Sequence, residues 1–465
     1  MTKSWAKDLG LETKDSKTFE MEHKKTIAII GAGCSGITAI KNCLQAGIED
    51  VVCFEQNSEV GGNWIYTANE SHSSVCETTH IISSKHLSEY LDFPMPEHYP
   101  DYPSHEQVLA YFRSYARHFG LYPYIRFNTR VKTVTKVEGE RWQVELSDGE
   151  TRVFDYLFIA NGHHNTPRHP DLPGEFAGEY LHSHNYKTAA PFRDQRVLVI
   201  GSGNSGCDCA VEISRVAEHV AISMRRPHYI IPKFFLGRPT DTFNKRLIRL
   251  PRPLAEFLRK LTLRVQVGDY RDYGMDRPDF PVTKDHPTLN SELLYKIRHG
   301  KVHPRKGITR IEGKAVTFAD GTTETYDTII AATGYKIALP FFERDFLNYE
   351  EADRVPLYLR MFHPDHPTLV FIGLVQPQGS VWPLSDAQSK LAANYAMGRW
   401  SLPENLRELA EQDSDQIERE FIKAKRHTIE VHFHPYLNRL LKEVPKEAPE
   451  CSHKTVDSEQ FTVGS

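Results

Sequence analysis

Two stretches of the chain carry residue types spaced for chemistry: IAIIGAGCSGITAI, from Ile27 to Ile40, and VLVIGSGNSGCDCA, from Val197 to Ala210. Each is a short apolar run that breaks into Gly-x-Gly-x-x-Gly and resumes as helix-like sequence. In such a finger the first glycine, Gly31 or Gly201, permits the tight turn out of a strand. The second, Gly33 or Gly203, lets a pyrophosphate approach the backbone, and the third, Gly36 or Gly206, lets helix and strand pack closely. The helix start offers free N–H groups and a positive dipole end to phosphate. Cys34 and Ser35 stand there in the first finger, and Asn204, Ser205 and Asp208 in the second. The strand before and the helix after supply the context that a lone glycine motif lacks.

The residue that follows the next strand separates the two ligands. Glu55 lies 24 residues after Gly31, beside Gln56, and a carboxylate there accepts hydrogen bonds from ribose hydroxyls. The residue 24 after Gly201 is Arg225, followed by Arg226. A carboxylate would repel a 2′-phosphate, whereas a guanidinium pairs with it bidentately, so the second finger is expected to prefer NADPH to NADH. Just past Glu55, the run EVGGNW includes Gly62, Asn63 and Trp64. Its glycines would let the chain pass close to a large planar ligand, with Trp64 as a wall.

The elements that must hold these fingers repeat. The first half continues to a hairpin signal turning at Asp148-Gly149 and a strand ending at Gly162. The second half turns at Asp320-Gly321 and ends a strand at Gly334. Turn and ending are 13 residues apart in both halves, and first glycine and turn are 118 and 120 apart. This predicts an α/β fold of two dinucleotide-binding, Rossmann-like domains, one inserted in the other. The first is discontinuous, over 25–165 and 330–445 with C-terminal helices, and the second spans 166–329. Residues 1–24 and 446–465 read as polar tails.

Composition narrows the class. Hydrophobic residues make up 40% and charged residues 25%, which excludes global disorder. A net charge of −4 offers no basic field for nucleic acid and no polybasic membrane patch. There is no apolar run of membrane-spanning length and no secretory signal. Seven scattered cysteines without Cys-x-x-Cys argue against a disulfide framework, a zinc site and a dithiol redox motif, and suggest a reducing, cytoplasmic setting. The 23 histidines show no metal spacing, and His163-His164, where the return strand should meet the cofactor, read as polar loop residues with lining of the site as the alternative.

Taken in order, GAGCSG, FEQNSEVGGNW, FAGEYLHSHNYK, GSGNSGCDCA, SMRRP, AATGY and IGLVQPQGSVWPLSDAQ resemble the motifs of flavin-containing monooxygenases, from about residue 26 to about 405. The most specific is the family's identifying pattern F-x-G-x-x-x-H-x-x-x-[FY]-K, met by Phe176, Gly178, His182, Tyr186 and Lys187. The resemblance implies FAD on the first finger and NADPH on the second. It also implies oxygenation of soft nucleophiles, amine nitrogen or sulfide sulfur, through a flavin hydroperoxide. It adds Val131, Gly162 and Gln388 to the FAD residues and Gly334 to the NADP residues. The partners implied are a small-molecule substrate, O2 and a second copy of the chain as a homodimer.

Two departures stand out. The family commonly reads T-N-S-S-K before D-F-P, its Asn near the reacting flavin. This chain reads IISSKHLSEYLDFP, which puts Ile82 at the Asn position and leaves Ser83 as the nearest candidate polar contact. Weaker coupling and peroxide release are expected. Animal members carry a C-terminal membrane anchor, whereas this chain ends in a polar tail, as in the soluble microbial type. The alternatives are a Baeyer–Villiger oxygenase, against which Tyr186-Lys187 speaks, an NADPH oxidase releasing peroxide, a disulfide reductase, and a redox-sensing module without turnover.

Overall fold

The computed structural model describes residues 24–68, 72–247 and 250–446. Except for Lys24 and Lys446, the two polar tails lie outside the described residues. Ten parallel strands form two five-stranded sheets: β1 (Ile27–Ile30), β2 (Val51–Phe54), β3 (Ile125–Arg126), β4 (Tyr156–Ile159), β5 (Glu179–His182), β6 (Arg196–Ile200), β7 (His219–Ser223), β8 (His303–Arg305), β9 (Thr328–Ala331) and β10 (Leu369–Phe371). The first sheet runs β10-β4-β1-β2-β3 and the second β5-β9-β6-β7-β8. β1 is apolar and buried along its whole length, and β9 is buried throughout with Thr328 its one polar residue, as expected of parallel strands covered on both faces. Each glycine finger leads from the central strand into a helix, α1 (Cys34–Gln45) or α2 (Asn204–Ile213).

The discontinuity lies in the first sheet. β10 pairs with β4 in the register Leu369↔Leu157 to Phe371↔Ile159, so chain from beyond the second unit completes the first. In the second sheet the matching edge is taken by β5, which precedes its finger in sequence. The division drawn at 329/330 cuts β9, whose neighbours β5 and β6 both belong to the second sheet. The two chain crossings between units run side by side, Thr166–Pro167 antiparallel to Tyr335–Lys336. Both hairpins form. Leu146 N–H donates to Glu150 O at 2.9 Å, and Phe318 N–H to Thr322 O at 2.8 Å. Gly149 and Gly321 have φ of +88° and +83°, which a residue with a Cβ rarely adopts.

A third helix, α3 (Trp382–Ala396), packs along α1 within one apolar core. The two join through charge as well. Lys41, 1% exposed, donates to Asp386 at 2.8 Å and Asp92 at 2.6 Å, so a buried cation faces two carboxylates. No described helix is long and apolar enough to cross a membrane.

Candidate active site

A cavity of about 470 Å³ opens at the C-terminal ends of β1, β2 and β4 and reaches the start of α2. Ligands of open α/β sheets bind at this edge, and the volume suits a small-molecule site. The two fingers are built alike. A Cβ on Gly31 would lie 2.8 Å from Ala160 O, and one on Gly201 2.5 Å from Ala332 O. A Cβ on Gly36 would lie 1.8 Å from Gly31 O, and one on Gly206 2.0 Å from Gly201 O. Gly36 and Gly206 therefore serve helix–strand packing and do not line the cavity.

Of the residues assigned to FAD, Gly31, Gly33, Cys34, Ser35, Glu55, Gln56, Gly62, Asn63, Trp64, Ile82, Ser83, Val131 and Gly162 line one wall. Gly33 and Gly62 pack against each other there, and a Cβ on Gly62 would lie 3.0 Å from Gly33 Cα. Such side-chain-free backbone is the cradle a flavin dinucleotide requires. The Glu55 carboxylate, 4% exposed, is already engaged. It accepts from Ala32 N–H at 2.7 Å, Asn57 N–H at 2.8 Å and Asn57 Nδ2 at 2.6 Å. It fixes the finger and keeps acceptor capacity on Oε2 for a hydroxyl. Trp64 meets Trp382 edge to face at 5.7 Å, and both bound the cavity.

Two expectations need correction. Gln388 is fully buried behind the cavity. Its Oε1 accepts from Gly373 N–H at 2.8 Å and its Nε2 donates to Tyr436 at 2.7 Å, so it props the lining residue Gly373. Arg225 is not the counterpart of Glu55. Gly31 N–H donates to Phe54 O and Gly201 N–H to Ser223 O, which makes Met224 the equivalent residue and Arg225 the next. Arg225 and Arg226 are exposed beyond the cavity, and Arg226 lines a small hollow with Arg305 and Lys306. Ser83 reaches the cavity, but its hydroxyl pairs with Ser88 Oγ at 2.8 Å. Ile82 beside it presents no donor.

Of the second finger's residues, Asn204, Ser205 and Asp208 line the cavity, whereas Gly201, Gly203, Gly206, Arg225, Arg226 and Gly334 do not. Gly203 caps α2 with nothing within 4 Å of its added Cβ, open for close approach. The family pattern also gains a physical meaning. Lys187, buried at the far end of it, donates to Ser73 O at 2.6 Å and Val75 O at 3.3 Å. It thereby ties the second unit to the first unit's cavity-lining loop.

His163 and His164 are lining residues, contrary to the loop reading. The protein atoms around them push their imidazoles down, to about 3 and about 4, against an opposing hydrogen bond from Gln376, and the push is weaker for His164, whose ring is exposed, than for half-buried His163. Both rings are neutral at neutral pH and bring no acidic proton into the cavity. Below about pH 6.5 the unfolded chain binds protons that the folded histidines refuse, so stability is full above that pH and falls as pH is lowered. Melting temperature measured from pH 7.5 to 5 is expected to fall less steeply in His163→Gln/His164→Gln than in the parent. Parallel curves would contradict the assignment.

Two dinucleotide units sharing one cleft define a nucleotide-dependent flavoprotein. Residues 24–453 match the family described as flavin-binding monooxygenase-like, and the chain belongs to that family. It is 36% identical to flavin-containing monooxygenase 5 of Rattus norvegicus over 431 residues, 88% of this chain and 80% of the relative. It is 33% identical to dimethylaniline monooxygenase [N-oxide-forming] 2 of Cavia porcellus, over 90% of this chain and 82% of the relative. The S-allyl-L-cysteine S-oxygenase of Allium sativum superposes with a TM-score of 0.68 at 26% identity, covering 90% of this chain and 88% of the other. Cyclohexanone monooxygenase from Rhodococcus sp. Phi1 shares the fold, with a TM-score of 0.67 at 19% identity over 90% and 96%. The protein is a flavin-dependent monooxygenase.

Proposed function

We propose that the protein uses NADPH and O2 to oxygenate soft nucleophiles, amine nitrogen or sulfide sulfur. The observation that carries this reading is a single cleft lined by the first finger and by the N-terminus of α2. The N-oxide-forming and S-oxygenase relatives support the choice of nucleophile. Bound flavin supplies the redox chemistry, taking electrons from the reduced nicotinamide and delivering them to dioxygen. The chain's residues bind, orient and shield. Gly31, Gly33 and Gly62 admit the dinucleotide, Glu55 holds the finger and meets the ribose, and Val131 lies along the same wall. Trp64, Trp382 and Phe341 exclude water, while neutral His163 and His164 withhold protons.

Arg225 and Arg226, beside Arg305 and Lys306, form the phosphate-recognising end of the second finger. Replacing both Arg225 and Arg226 by Ala is expected to raise the KM for NADPH by about tenfold or more while leaving that for NADH nearly unchanged. Equal shifts for both cofactors would remove these residues from 2′-phosphate recognition. A panel of tertiary amines, thioethers and ketones, scored by oxygenated product alongside peroxide, tests the reaction itself, and ketone products alone would overturn it. The same reading places the chain in the cytoplasm as a homodimer. The six free cysteines among the described residues suit a reducing compartment, and sedimentation analysis decides the assembly.

A further inference from the structure

Residues 283–290 touch both units at once. On the side of the second finger, Thr288 Oγ1 donates to Ser202 O at 2.7 Å, between the first two glycines. Leu289 N–H donates to Asn204 Oδ1 at 2.9 Å, and Asn290 Nδ2 to Asp208 Oδ1 at 2.8 Å. On the side of the first unit, Gln378 Nε2 donates to Thr283 O at 3.0 Å and Asp285 O at 2.8 Å. Ile422 N–H donates to Lys284 O at 2.9 Å, and His286, a cavity-lining residue, meets Glu430 at 3.2 Å.

Asp285 stands where the two sets join. Its Oδ2 accepts from His228 Nδ1 at 2.9 Å and its Oδ1 from His427 Nε2 at 3.0 Å, with all three side chains at most 6% exposed. His228 follows the Arg225-Arg226 pair in the second unit, and His427 belongs to the C-terminal part of the first. The direction of the chain is fixed by hydrogen count. The single hydroxyl hydrogen of Thr288 goes to Ser202 O, so His228 Nε2 donates to Thr288 Oγ1, at 2.7 Å, and with Nδ1 also donating to the Asp285 carboxylate His228 stands there as an imidazolium. A continuous buried path therefore runs from His427 through Asp285, His228 and Thr288 to the backbone of the second finger.

We propose that residues 283–290 form an inter-unit strap that sets the second nucleotide against the first, with Asp285 as its positioning residue. The inference rests on the reading that the second finger takes NADPH. The end at Thr288 holds the finger and governs affinity. The end at His427 and Gln378 holds the finger's distance from the first unit and governs hydride transfer. Asp285→Asn keeps the shape but turns an amide NH2 toward one imidazole N–H, so one of the two buried bonds is lost.

The test uses FAD-loaded protein, with NADP+ affinity read by calorimetry and flavin bleaching by saturating NADPH read anaerobically. Thr288→Val is expected to weaken NADP+ binding by about tenfold and to leave the limiting bleaching rate within about twofold. His427→Leu is expected to slow the limiting rate by about tenfold or more and to leave affinity within about threefold. Asp285→Asn does both. Gln378→Met, at the same end, replaces His427→Leu if that variant does not retain flavin. Unchanged affinity and rate in Asp285→Asn with parental flavin content would overturn the strap. So would variants that lose both quantities together in proportion to flavin content. Parent protein that binds no NADP+ would instead overturn the NADPH reading.

Discussion

Gly36→Ala is expected to yield a colourless protein. Alanine in place of glycine inside a helix is ordinarily favourable, by up to about 1 kcal/mol. Here the added methyl would sit 1.8 Å from Gly31 O, which is backbone and cannot swing away. α1 must move off β1, and the turn that presents N–H groups to the pyrophosphate moves with it. Gly206→Ala makes the same collision in the second finger, 2.0 Å from Gly201 O. That variant should stay yellow, bleach with dithionite and fail to bleach with NADPH. Gly33→Ala separates packing from binding. Its methyl would meet Gly62 Cα at an ordinary 3.6 Å, so the protein should keep its stability while losing flavin. Absorbance of the purified variants near the flavin band, set against their melting temperatures, reads all three. A Gly36→Ala protein as yellow as the parent would defeat the account of the first finger.

Those glycines were legible in the sequence because their demands are local. A tight turn, a close approach and a packed helix start each leave a residue type at a fixed offset, as do the Asp-Gly hairpin turns. Counting from the glycine failed at Arg225 because it assumes helices of equal length. α1 runs twelve residues and α2 ten, and the path from β6 to β7 is one residue shorter than that from β1 to β2. The place of Gln388 is not legible in the sequence for a related reason. Thirteen of the fifteen residues of α3 are buried, so no polar face marks which side looks into the cavity. The place of His163 and His164 just past a strand end allows lining, but a histidine pair there is equally compatible with a loop, and residue type alone does not choose. Asp285 could not be found from sequence because its partners lie 57 and 142 residues away, and only the closure of two units brings them together.

The strongest functional expectation concerns Ile82. It lies in the cavity wall where the family resemblance expects an asparagine, and the hydroxyl of neighbouring Ser83 shares a hydrogen bond with buried Ser88. His163 and His164, whose imidazoles are pushed down, line the same cavity. If oxygen is reduced beside residue 82, it meets an aliphatic side chain there instead of an amide donor, and part of it is expected to leave as hydrogen peroxide. A buried hydrogen bond to a charged or strongly polar group is worth about 1.5–3 kcal/mol, which corresponds to roughly one to two powers of ten in a rate. Ile82→Asn is therefore expected to lower peroxide formed per NADPH consumed at least severalfold, with NADPH consumption in the absence of substrate slowed in parallel. Ile82→Val, which preserves the apolar wall, should leave the ratio as it is. The two variants separate a missing donor from a misshapen pocket. If Asn and Val change the ratio equally, shape governs the leak. If neither does, the leak has another origin, and the polar contact at residue 82 is dispensable in this protein.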